Sequence, residues 1–167
     1  APVHVIENGF DEDDYRDDFP PYFKDKKVRI IYTGSVYSRK QDPSPLFEAI
    51  KTLAESNEIT KNKLTDNFEV LFFGSPNDWL ISLIEKYNVQ QWVKYKGMVN
   101  RYDALCIQNQ ADVLLFLEWE DTSEEGILTG KLFEYMAMRK PIMVIGHSAK
   151  ISPGAIIEQA GVGLPFG

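Results

Sequence analysis

Cysteine is all but missing from this chain of 167 residues: Cys106 stands alone, so a disulfide scaffold is excluded and a reducing compartment is expected. Gly (11) and Pro (9) are at ordinary levels, which excludes collagen-like and disordered chains. The longest fully apolar runs, such as Val113 to Leu117, fall far short of the ~20 residues that cross a bilayer. No span is expected, and peripheral attachment stays open. The two histidines, His4 and His147, have no Cys or second His at ligand spacing, so no metal site is expected.

Positive charge is also scarce. The net charge is -7, and residues 1–18 carry seven acids against Arg16, leaving -1 for the remainder. A near-neutral body without a Lys/Arg stripe is a poor match for a nucleic-acid backbone, which excludes that partner. The acidic run does not read as a calcium loop, because Arg16 takes the sixth position and Tyr22 the twelfth. It reads as a solvated segment. The chain opens without Met or a secretory pattern, on Val3-His4-Val5-Ile6, which reads as a strand already under way; an excised domain is expected.

What is present is an alternation. With 44% hydrophobic residues the chain can bury one core. Val28 to Tyr32 reads as a buried strand ending near Gly34, and Asp42-Pro43-Ser44-Pro45 opens a helix with Leu46, Ile50, Leu53 and Ala54 at helical spacing. Further strands are expected at Glu69–Phe73, Trp92–Tyr95, Val113–Leu117, Pro141–Ile145 and near Val162. Helices are expected around Leu80–Tyr87, at Tyr102–Gln108, Gly130–Met138 and Gly154–Gln159, while Ser56 to Asp66 reads as a polar surface connection. Such alternation predicts an α/β, doubly wound, mainly parallel Rossmann-like sheet, whose ligands sit beyond the carboxyl ends of the strands. Cys106, Trp79, Trp92 and most Phe residues read as core.

Two loops there carry chemistry. Gly34-Ser35-Val36-Tyr37-Ser38-Arg39-Lys40 places two cations just before a helix, suited to phosphate or simply solvated. In Ser123 to Tyr135, glycines and a hydroxyl precede an amphipathic helix whose start is a natural anion site; Leu132, Phe133, Met136 and Ala137 are its expected buried face. Lys131 and Glu134 share the other face, as a weak surface bridge or as phosphate and ribose ligands. Neither a Walker A loop nor GxGxxG is present, since Leu132 follows Gly130-Lys131. Of the acids in Glu118 to Glu125, one or two are expected to face a ligand, and His147 reads as a turn residue, with sugar contact as the alternative.

Asn8-Gly9-Phe10-Asp11, the Gly34–Lys40 loop followed by DPSPLFEAI, and above all GILTGKLFEYMAMRKPIMVIG resemble the nucleotide-sugar domain of GT-B retaining glycosyltransferases. The likeness is to the family four group that includes bacterial capsule and lipopolysaccharide transferases, and it covers nearly the whole chain. It implies that residues 1–167 are the C-terminal, donor-binding half of a GT-B fold, with an acceptor domain outside this chain. By that resemblance Arg39 and Lys40 contact the donor diphosphate beside Gly34 and Ser35. Leu128, Thr129 and Gly130 hold phosphate through their backbone, with Lys131 nearby; Glu134 binds the ribose, and the loop at Gly97, Met98 and Val99 lines the base.

Two positions depart from the family pattern: Ser35 stands where Arg is usual, and Gly126 stands where the first motif glutamate belongs. Glu125, one residue away, is left as the candidate catalytic carboxylate, with Lys40 as the candidate catalytic cation. The implied substrate is a UDP- or GDP-sugar, with no cofactor and no metal. The implied acceptor is a glycan or lipid-linked molecule. The implied place is the cytoplasm, with attachment at the inner face of the membrane left open. A GT-B-type sugar-nucleotide epimerase and a non-catalytic nucleotide-binding or interaction module are the alternatives.

Overall fold

The structure, a computed structural model, describes residues 8–15, 18–38, 40–119, 129–146 and 153–166. Its strands are β1 (Val28–Thr33), β2 (Phe68–Phe73), β3 (Val93–Gly97), β4 (Val113–Leu117), β5 (Ile142–Ile145) and β6 (Gly163–Phe166). All pairs are parallel, in the order β3-β2-β1-β4-β5-β6. The helices are α1 (Ser44–Ser56), α2 (Glu58–Asn67), α3 (Asp78–Tyr87), α4 (Arg101–Asn109), α5 (Gly130–Ala137) and α6 (Pro153–Gln159). The chain winds outward from β1 to β3, returns to lay β4 on the other side of β1, and winds outward again. This is the expected doubly wound, Rossmann-like fold, and its winding reverses between β1 and β4.

Successive strand residues face opposite layers, so each central strand feeds two cores and reads as an unbroken apolar run. Ile30 and Tyr32 pack with Phe47 and Ile50 of α1 and with Leu80 and Ile84 of α3. Ile31 packs on the other side with Leu105 and Ile107 of α4, Leu132 and Tyr135 of α5, and Ile157 of α6. Cys106 and Trp92 are buried and Trp79 partly so. At the amino end of β1, Arg29 is 4% exposed. Its guanidinium donates to Glu69 at 2.7 Å and to Asp25, and lies 4.0 Å from the centroid of the Phe23 ring.

Several expectations need correction. The polar surface connection expected from Ser56 to Asp66 does lie on the surface, but most of it is helical and forms α2. That helix buries no residue and so shows no apolar periodicity; its signal is a local cap, the Asn57 side chain accepting from the Thr60 N–H at 2.8 Å. In α1 the outward-facing residue is Leu53, 52% exposed, and Phe47 is the buried one. Asp42 does secure the start of that helix, accepting from the Ser44 N–H and hydroxyl at 2.8 Å each. In α5 the buried aromatic is Tyr135 rather than Phe133, because Tyr135 reaches the end of β1. The expected strand at Val3–Ile6 lies outside the described residues.

Candidate functional site

Three strand ends meet on one side of the switch point. Beyond β1 and β2 the backbone pairing continues, the Gly34 N–H donating to the Phe73 carbonyl at 2.7 Å and the Gly74 N–H to the Gly97 carbonyl at 2.9 Å. A Cβ on Gly74 would lie 2.1 Å from the Gly34 oxygen, so only glycine allows the two loops to come this close. The hydroxyls of Ser35 and Ser75 then bridge them at 3.0 Å. Below these loops opens a cleft of about 370 Å³, within the range of small-molecule sites. Its walls include Gly34, Ser35, Met98, Gln108, Lys131 and Glu134, with Thr33, Phe73, Gly74, Ser75, Val99 and Ala104 between them.

Lys131 and Glu134 do not form a bridge on a solvated face. The Lys131 ammonium lies 3.8 Å from the centroid of the Tyr32 ring, and a Cβ on Gly34 would stand 2.8 Å from it. Burial pushes its pKa down to about 7, while the Glu134 carboxylate pulls it up. Glu134 is held by two other partners: Oε1 accepts from Gln108 Nε2 at 2.5 Å and Oε2 from Arg101 Nη1 at 2.8 Å. Gln108 Nε2 also donates to Thr33 Oγ1 at 2.7 Å. The Thr33 N–H donates to the Tyr135 hydroxyl at 3.0 Å. Burial raises the Tyr135 phenol to about 12, so it is a fixed neutral acceptor at ordinary pH. These bonds tie the front of α5 to the end of β1.

The sequence candidates divide three ways. Gly34, Ser35, Met98, Lys131 and Glu134 share the cleft. Thr129 and Gly130 lie just before Lys131 at the start of α5, Thr129 as N-cap without a side-chain capping bond and Gly130 with nothing within 4 Å of where a Cβ would be. Gly97 lies one residue before Met98, at φ +81°. Lys40 is not among the cleft residues: its ammonium sits 4.1 Å from the centroid of the Trp119 ring, and that ring in turn stacks 5.5 Å from Tyr37. Arg39, Glu125, Leu128 and His147 lie outside the described residues. Of the acids after β4, Glu118 is buried and accepts from the Gly154 N–H at 2.5 Å; it does not line the cleft.

Sequence reasoning marked Gly74 only as a strand end and left Gly74 and Ser75 out of the candidate site, although the Gly-Ser pair that follows β1 recurs after β2 and was a readable signal. It also missed Gln108 and Arg101, which carry no local mark. Among the described residues no group of three His, Cys, Asp or Glu side chains stands together, and no helix is long and apolar enough to cross a membrane.

No protein-family model matches the chain, and no curated protein matches it. Solved structures do. AviGT4, a glycosyltransferase involved in avilamycin A biosynthesis, is similar at 16% identity and a TM-score of 0.53, over 95% of this chain and 43% of that one. The pneumococcal O-GlcNAc transferase GtfA, solved in complex with UDP and GlcNAc, is similar at 16% identity and a TM-score of 0.43, over 75% of this chain and 22% of that one. The chain thus spans less than half the length of either. At this identity the likeness to AviGT4 is one of fold.

Proposed function

We propose that this chain is the donor-binding domain of a GT-B glycosyltransferase of retaining type, taking a UDP- or GDP-sugar and working with an acceptor domain outside these 167 residues. The observation that carries the reading is the meeting of Lys131, Glu134, Gly34 and Ser35 in one cleft beside the β1/β4 switch point. In this reading the Glu134 carboxylate accepts the ribose hydroxyls, and the base lies against Met98 and Val99. The diphosphate lies between the Gly34–Ser35 loop and the first turn of α5, whose unpaired N–H groups favour an anion.

Lys131 then supplies the positive charge that family members draw from the position of Ser35. An arriving diphosphate favours the charged ammonium, which offsets its desolvation. During transfer the same ammonium and helix amides stabilise the departing diphosphate, a preorganised electrostatic effect. Arg39 and Lys40 are proposed to reach the diphosphate on donor binding, which for Lys40 requires leaving the Trp119 ring, and Glu125 is the proposed carboxylate at the sugar. The acceptor is proposed to be a glycan or lipid-linked molecule, reached from the cytoplasmic face of a membrane. No metal takes part in donor binding in this reading.

Titration calorimetry of the chain with UDP and GDP, with chelator present, tests it. Micromolar-range binding of one of them is expected; binding that requires added Mg²⁺ or Mn²⁺, or no binding, would overturn it. A longer chain carrying the acceptor domain should transfer sugar, and the present one should bind without turnover.

A further inference from the structure

Arg101 opens α4 and extends its side chain, 60% exposed, between two carboxylates. Nη2 donates to Asp14 Oδ2 at 2.6 Å and Nε to the same oxygen at 3.3 Å, while Nη1 donates to Glu134 Oε2 at 2.8 Å. Asp14 does not hang free. It ends the short 3-10 turn Glu12–Asp14, which Asp11 caps by accepting from the Asp13 N–H at 3.0 Å. Next to it, Tyr15 packs on the core layer of α4 and α5. Two of the three guanidinium nitrogens therefore serve Asp14, and one serves Glu134.

The count of lone pairs gives this division a consequence. A carboxylate offers about four acceptor sites, two per oxygen. In Glu134 one on each oxygen is taken, by Gln108 and by Arg101, which leaves one on each for the adjacent hydroxyls of a ribose. We propose that Arg101 is a positioning residue of the ribose site and that Asp14 sets how it acts, limiting it to a single bond with Glu134. Without Asp14 the guanidinium turns its two-pronged edge onto Glu134, the geometry that Arg and carboxylate prefer, and takes a site that the ribose needs. By reciprocity, a bound ribonucleotide tightens the seating of residues 8–15 on the domain. The inference rests on the proposed nucleotide reading and adds to it a link between the site and the N-terminal segment.

The test is calorimetry on the full chain with UDP, GDP and their 2′,3′-dideoxy counterparts, for wild type, Asp14→Asn, Asp14→Glu, Arg101→Gln and the Asp14→Asn/Arg101→Gln pair. Asp14→Asn should weaken ribonucleotide binding by about fivefold, the scale of an exposed ion pair, and leave the dideoxy ligands unaffected. Asp14→Glu should restore most of the loss, and in the Arg101→Gln background Asp14→Asn should cost nothing further. Equal losses for both ligand types, a cost that persists without Arg101, or a lower melting temperature with unchanged affinity overturns the link. If Glu134→Gln weakens ribonucleotide binding and Asp14→Asn does not, the ribose site stands and the link fails. If wild type binds neither nucleotide, both fail.

Discussion

Replacing Lys131 by Met removes the ammonium and keeps an unbranched apolar side chain over the Tyr32 ring. In the free protein, burial lowers the Lys131 pKa to about 7, so the ammonium is half charged near neutrality, whereas an unfolded lysine titrates at about 10.4. Between those two values the unfolded chain holds a proton that the folded chain has lost, so stability rises with pH across that window. The Lys131→Met variant should lack this rise and should be the more stable protein at pH 6, by about 3–5 kcal/mol. The upper figure is the full shift at ~1.4 kcal/mol per unit, and the lower one allows for the cation–π contact with Tyr32.

Binding should move the opposite way. A diphosphate recruits the charged form, so wild-type affinity should fall about tenfold between pH 6 and 8.5 as the ammonium in the free site loses its proton. At pH 6 the variant should bind one to two decades more weakly than wild type, the loss of a hydrogen bond to a charged group. Calorimetry in buffers of different ionisation enthalpy should show proton uptake on binding near pH 7 in wild type. Subtracting the Met variant removes the titration of the nucleotide itself. A wild-type pH dependence that is flat, or that Lys131→Met reproduces, would refute the placement of the phosphate at Lys131.

Glu134→Gln should cost ribonucleotide binding one to two decades and dideoxynucleotide binding far less, as read by the same titrations. Gly74→Ala forces its new Cβ against the Gly34 carbonyl, so the two loops must part. A loss of about 1–3 kcal/mol in denaturant unfolding is expected, with nucleotide binding abolished. Arg29→Met should lower stability by about 3 kcal/mol, because it strips the buried Glu69 of a partner and leaves Lys94 as its remaining cation. Nucleotide affinity should be unchanged, since Arg29 lies at the far end of β1 from the cleft.

The β-branched runs, the helix-opening Asp42 and the glycines after β1 and β2 are local signals, and each strand and most helices followed from them. The start of α5 was legible for the same reason, because Gly130-Lys131 followed by an apolar stripe states a helix N-terminus without reference to anything distant. α2 escaped because a helix that buries nothing has no periodic face; only its Asn57 cap marks it.

The site itself depends on sheet order. Return of the chain to place β4 beside β1 brings α4 and α5 together at one end of the sheet, so Gln108 and Arg101 reach Glu134 from 26 and 33 residues away and Asp14 reaches Arg101 from 87. Spacing along the chain cannot show such contacts, because the geometry that makes them belongs to the crossover and not to either partner. The same holds for Lys131. Its helical period placed it on an outer face, but the close approach of Gly34 and the ring of Tyr32 turned that face into the wall of a cleft, where burial sets the charge.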